Sequence, residues 1–236
     1  MSIEANLARV RDQVAAACQR ANRPETEVAL MAVTKVHPVE FLIEAYAAGQ
    51  RLFGENRVQE FAAKASSLTH LQDAEYHLIG PLQSNKSSRA AELFDSIDTV
   101  DSVKLAQRLD TAAAALSKKL PVYIEVKLSH EDSKHGISPD DLPALLDSIA
   151  PLENIVAIGL MTVPPWSEDA ETARPYFRRL RELRDIQQKL YPTLTQLSTG
   201  MSGDFAVAIE EGSTCVRIGT AIFGRRIVTP STSPAL

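Results

Sequence analysis

Apolar residues along this chain follow two alternating spacings. Ile3, Leu7, Val10 and Val14 fall on one helical face, and the pattern ends near Pro24, so an N-terminal helix is expected within 1–23. Eight short apolar runs bounded by turn or capping residues then follow, at 28–35, 51–55, 75–80, 96–101, 121–128, 155–163, 194–199 and 215–223. Between them the spacing turns helical, as from Val103 to Leu116, Leu142 to Ile149 and Thr172 to Leu190. Strand and helix in strict alternation point to a parallel sheet. Eight units in 236 residues fit an α/β fold of the single (β/α)8 TIM-barrel type with an additional N-terminal helix. A doubly wound sheet is the runner-up, but the glycine-rich first turn of a dinucleotide fold is missing. No linker or low-complexity tract divides the chain, so 1–236 is expected to be one domain, with 225–236 as a C-terminal tail.

Composition narrows the partners. With 25 Lys and Arg against 30 Asp and Glu, the formal charge of −5 offers no general attraction to nucleic acid or anionic membrane. Neither of these is an expected partner. The arginines at 174, 178, 179, 181 and 184 share a helical pattern with the apolar stripe Phe177, Leu180, Leu183 and Ile186, and are expected to form a solvated basic face. Cys18 and Cys215 lack metal-ligand spacing and suit core thiols in a reducing compartment. His130, Asp132 and His135 lack a further well-spaced ligand, so no metal is expected. The start of the chain has no signal-peptide pattern and no run approaches membrane-spanning length, so a cytoplasmic protein is expected.

In a barrel of this kind the carboxyl ends of the strands form the active face. Here those ends are polar: Lys35 after the first run, Gly54-Glu55-Asn56 after the second, His77 in the third and Met161-Thr162 in the sixth. Ser198-Thr199-Gly200 closes the seventh run, and Arg217 with Gly219-Thr220 occupies the eighth. A lone lysine at a strand end is ordinarily a solvated side chain, yet one walled by apolar residues loses proton affinity and becomes a nucleophile. The segment from Ser198 through Met201, Ser202 and Gly203 into a helical pattern at Phe205 brings small residues, hydroxyls and a helix start together, as an anion cradle requires. An ordinary helix entry has the same look, but phosphate sites of barrels recur after strands seven and eight, where Gly219-Thr220 supplies the other half. An amine nucleophile beside a phosphate cradle suits an aldehyde bearing a phosphate, and pyridoxal 5'-phosphate (PLP) is the prime candidate. Arg217 shares a strand face with Gly219 and so can approach the cofactor ring, where a permanent cation would disfavour protonation of the pyridine nitrogen; the plainer alternative is an arginine paired with a carboxylate.

These residues carry a resemblance. Ala-Val-Thr-Lys ending in Lys35, Phe53 to Glu60, His77 to Lys86, Lys134-His135-Gly136, Gly159 to Thr162 and Leu197 to Arg225 together resemble the pyridoxal phosphate homeostasis protein family, from the first strand to the last. The family's fold is similar to the barrel domain of bacterial alanine racemase. The resemblance implies PLP held as a Schiff base on Lys35, Asn56 and His77 lining the cofactor with Met161 and Met201 beside it, and Arg217 facing the pyridine nitrogen. It also implies phosphate held by Ser198, Gly200, Ser202, Gly219 and Thr220. Departures are small: Thr199 stands where methionine is expected, Pro81 follows Gly80, and Val163-Pro164-Pro165-Trp166 makes an unusual loop.

Racemases of this fold use a lysine and a tyrosine from an added β-domain of the partner subunit as opposed acid and base. Only 12 residues follow Phe223-Gly224, so that apparatus is not expected. The expected function is a non-catalytic, monomeric PLP-binding protein of vitamin B6 and amino-acid homeostasis, with PLP-requiring apoenzymes as recipients. An amino-acid racemase, lyase or decarboxylase using PLP is the alternative, and a cofactor-free Schiff-base aldolase a third reading.

Overall fold

A computed structural model describes residues 2–129, 131 and 135–224. The strands are β1 (Ala29–Val33), β2 (Leu52–Glu55), β3 (Glu75–Leu78), β4 (Ser96–Val100), β5 (Leu120–Glu125), β6 (Ile155–Met161), β7 (Gln196–Ser198) and β8 (Cys215–Ile218). All neighbours are parallel, and β8 pairs back onto β1 through Ala29↔Cys215 to Ala32↔Ile218, closing the barrel in the order β1 to β8. The (β/α)8 expectation holds.

Helices α1 (Ile3–Arg20), α2 (Val39–Ala47), α3 (Val58–Ala65), α4 (Ser87–Leu93), α5 (Val103–Ala115), α6 (Leu142–Ile149), α7 (Arg174–Gln187), α8 (Phe205–Glu210) and α9 (Thr220–Phe223) surround it. Ser2 caps α1 by accepting the Ala5 N–H at 3.2 Å. The helix buries Ile3, Leu7, Val10 and Val14, the stripe read from the sequence. It is tied to the end of the barrel by Asn6, whose side-chain amide donates to the Ile222 carbonyl at 2.8 Å.

Two expectations need correction. The eighth strand ends at Ile218 instead of 223, because Gly219 breaks the extended run and Thr220–Phe223 turns into α9, putting Ile222 and Phe223 into the outer core. The α7 arginines are not simply solvated: Arg174 and Arg178 donate to Glu211 Oε1 at 3.1 and 2.9 Å, and Arg181 to the Glu211 carbonyl at 3.0 Å. The cations of α7 clamp the C-terminal end of α8.

The barrel sorts side chains by parity. Ala32, Phe53, Leu78, Ile97, Val122, Leu160, Leu197 and Ile218 point outward into one apolar layer under the helices. Residues of opposite parity point inward, where a Cβ on Gly54 would meet Met31 Sδ at 2.7 Å and one on Gly159 would meet Tyr123 Cε1 at 2.7 Å. Among the described residues no helix is long and apolar enough to cross a membrane.

Candidate functional site

Inward parity on β1 runs Met31, Val33, Lys35. The strand ends at Val33, two residues before the expected end, so Lys35 sits half-buried in the turn that follows. That turn closes with the His37 N–H donating to the Thr34 carbonyl at 3.1 Å, and Val36 takes φ 61°. A β-branched residue in the left-handed region costs roughly 1–3 kcal/mol, so surrounding contacts must hold it there.

Lys35 opens onto a cavity of about 490 Å³ at the carboxyl end of the barrel. Of the residues expected at the site, Lys35, Asn56, Met201, Ser202, Arg217, Gly219 and Thr220 line it. They come from the ends of four strands, β1, β2, β7 and β8, or the loops that follow them, and the closed barrel brings them together. Gly80 lets the β3 loop cross β2: a Cβ there would sit 2.2 Å from the Asn56 carbonyl oxygen.

His77, Met161, Ser198 and Gly200 are not on the cavity wall, and each has an evident alternative place. His77 lies one layer deeper, its Nδ1 3.1 Å from Asp98 and its ring against Tyr123; Ile79, two residues on, takes the wall position. Burial opposes a charge on His77, but the charge and hydrogen bond of Asp98, with Glu75 and Asp95 beyond, outweigh it and raise its pKa. Met161 is buried at the end of β6. Ser198 Oγ accepts from Arg217 Nη1 at 2.9 Å, so it orients the arginine. Gly200 has φ 94° and backs onto α8, where a Cβ would meet that of Ala208 at 2.6 Å.

Arg217 is buried and donates through Nη1 to the Ser198 carbonyl as well as its hydroxyl, and through Nη2 to the Thr162 carbonyl at 2.9 Å. These acceptors are neutral, unlike the carboxylate of the plainer alternative. Burial pushes the guanidinium pKa down, while Cys215, Asp98, Glu125 and Asp204 push it up. The cation is fixed against one wall of the cavity.

Next to it, where the Arg217 backbone N–H donates to the Gly200 carbonyl at 2.9 Å, lies a loop built to present donors. Asp204 Oδ1 accepts the Met201 N–H at 2.6 Å and so curls the loop ahead of α8. Burial raises the Asp204 pKa, partly offset by its bond to Met201 and by Arg217. Ser202 Oγ accepts from the Ala221 N–H at 3.3 Å, stitching the two halves of the cradle together. Among the described residues the N–H groups of Ser202, Gly203 and Thr220 have no protein acceptor. An amine, a fixed cation and a cluster of N–H and hydroxyl donors around one cavity fit a phosphorylated aldehyde with a basic ring, so the donor set suits PLP.

Sequence reasoning missed Glu125, a buried carboxylate on the wall, and Asp204, which shapes the cradle. Asp204 had a legible signal, a capping-type residue immediately before a helical pattern. Glu125 had none, since it ends an apolar run like any polar residue. The Pro165-Trp166 loop forms the rim, with Trp166 79% exposed. His130, Asp132, Lys134 and residues 225–236 lie outside the described residues; among those described, no group of three metal-ligating side chains occurs.

The barrel and its cavity place the chain in a class: residues 5–226 match the family model of the alanine racemase N-terminal domain. Within that class the chain belongs to the pyridoxal phosphate homeostasis protein family, being 44% identical over 221 residues to the protein so named in Aquifex aeolicus, which covers 93% of this chain and 96% of the relative. PipY of Synechococcus elongatus, whose structure was solved with PLP bound, is 41% identical with a TM-score of 0.84, over 94% of this chain and 100% of PipY. An alanine racemase of Clostridium difficile shares the fold, with a TM-score of 0.72 at 14% identity over 92% of this chain and 60% of the racemase.

Proposed function

We infer that this protein binds PLP through Lys35 and serves vitamin B6 and amino-acid homeostasis as a non-catalytic, monomeric carrier in the cytoplasm, the whole chain acting as one unit. The observation that carries this reading is the convergence of Lys35, Arg217 and the Ser202–Thr220 cradle on one cavity. The likeness to PipY supports it. PLP would supply an aldehyde for the Lys35 amine, the carbonyl oxygen leaving as water, with no oxidant or reductant required. The cradle would hold the ligand by its phosphate, and the Arg217 cation, fixed at the cavity wall, would disfavour protonation of the ring nitrogen and so weaken the ring as an electron sink.

The family's homeostasis name supports a carrier over an enzyme. So does Tyr123, which lies inside the barrel with its hydroxyl pKa pushed far up by burial, where it is a poor acid or base for a ligand in the cavity.

The test is borohydride reduction after incubation with PLP, followed by peptide mass spectrometry. A pyridoxyl adduct on Lys35, lost in Lys35→Ala, is expected; its absence would defeat the assignment. Exchange of the Cα hydrogen of added amino acids into deuterated solvent should not exceed the rate with PLP alone, and faster, stereospecific exchange would make the protein an enzyme.

A further inference from the structure

The turn that carries Lys35 is gripped from outside the cavity by α3. Thr34 is fully buried, and its hydroxyl donates to Glu55 Oε1 at 2.8 Å. Lys64 Nζ donates to the same oxygen at 3.1 Å and to the Thr34 carbonyl at 3.2 Å. Glu60, one turn earlier on α3, accepts the N–H of Val36 at Oε1 and lies 3.6 Å from Lys64 Nζ. The peptide groups on both sides of Lys35 are thus tied to charged side chains, none of which lines the cavity.

The hold has a reason to exist. Val36 has its φ at 61° and its side chain largely in solvent, so neither local preference nor core packing keeps the turn in this shape. The network is also a poor device for stability alone: Glu55 is fully buried, and its second oxygen, Oε2, has no partner among the described residues. What the network does supply is a fixed carbonyl before Lys35 and a fixed N–H after it.

We propose that Glu55, Glu60 and Lys64 are positioning residues for Lys35, holding the Thr34–Val36 turn so that the amine meets the aldehyde of a ligand whose phosphate sits in the Ser202–Thr220 cradle. The proposal rests on the reading of Lys35 as the covalent anchor. Reach of the amine is then set by α3, while affinity for the rest of the ligand is set by β7 and β8.

The test compares PLP with pyridoxine 5'-phosphate, which has the same ring and phosphate but an alcohol in place of the aldehyde. Lys64→Met should weaken PLP binding roughly tenfold and Glu60→Gln roughly threefold, with pyridoxine 5'-phosphate changed by less than about twofold. The fraction of bound PLP that borohydride fixes on Lys35 should fall in both variants. Equal weakening of both ligands, or of neither, would overturn the proposal. Glu60 is partly exposed, with 24% of its side chain in solvent, so Glu60→Gln carries the test even if Lys64→Met fails to fold. The wild type separates the two claims. No Lys35 adduct in the wild type defeats the anchor, whereas a wild-type adduct with variants that behave identically defeats only the positioning.

Discussion

The outside of this barrel and its inside are made of the same eight strands and obey different rules. Outward positions such as Phe53, Leu78, Ile97 and Ile218 are aliphatic or aromatic and fully buried under the helices. Inward positions include His77, Asp98, Tyr123, Cys215 and Arg217, where many barrels of this type carry branched aliphatic side chains. The inner groups are wired together: Ser96 Oγ donates to Asp98 Oδ1 at 2.8 Å, and Asp98 pairs with His77. Cys215 shows how polar yet dry this interior is, its thiol pKa pushed up to about 12 by burial with Asp98 adding to the effect. The outer layer contributes stability through area removed from water, and the inner layer trades some of that for charge held at fixed places.

The sharpest way to break this contrast is to truncate both layers. Phe53→Ala, which removes a fully buried ring stacked 5.8 Å from Tyr76, should cost roughly 3–5 kcal/mol in urea or guanidinium unfolding. A loss under about 1 kcal/mol there would mean the outer layer is not the main source of stability. Inside, Asp98→Asn should cost roughly 1.5–3 kcal/mol at about pH 6, where the imidazole is charged and the carboxylate ionised, the usual range for a hydrogen bond to a charged group. His77 has a raised pKa in the folded state, so the pair's contribution is fully present below the unfolded value of about 6.5 and is lost as pH rises through the folded one. Wild-type and variant stabilities should therefore converge on going alkaline, and a constant gap would remove the pair from the account. The smallest effect belongs to the rim: Trp166→Ala should change stability by less than about 0.5 kcal/mol, because the side chain is mostly in solvent.

Much of this was legible in the chain. Eight strands, their order and the outer stripe of α1 follow from periodicity, and the strand ends named seven residues that share the cavity. What escaped was depth and distance. The family resemblance put His77 beside the ligand; in this structure its ring pairs with Asp98, while Ile79, two residues further along, is on the cavity wall. Ser198 also orients Arg217 and Gly200 also backs onto α8, contacts that their residue types alone do not announce. The grip of Glu60 and Lys64 on the Lys35 turn was invisible for a different reason. Their spacing in sequence reads as an ordinary i,i+4 pair on a helix surface, and nothing in it states which backbone they face.

The rim has one more consequence, an optical one. Trp166 is the single tryptophan of the chain, and it stands at the cavity mouth while the inner Tyr123 is buried below. Indole emission from this protein therefore originates at one address. A chromophore entering the cavity will quench it and one leaving will restore it, so arrival and departure at the mouth can be timed in the native chain, without a label.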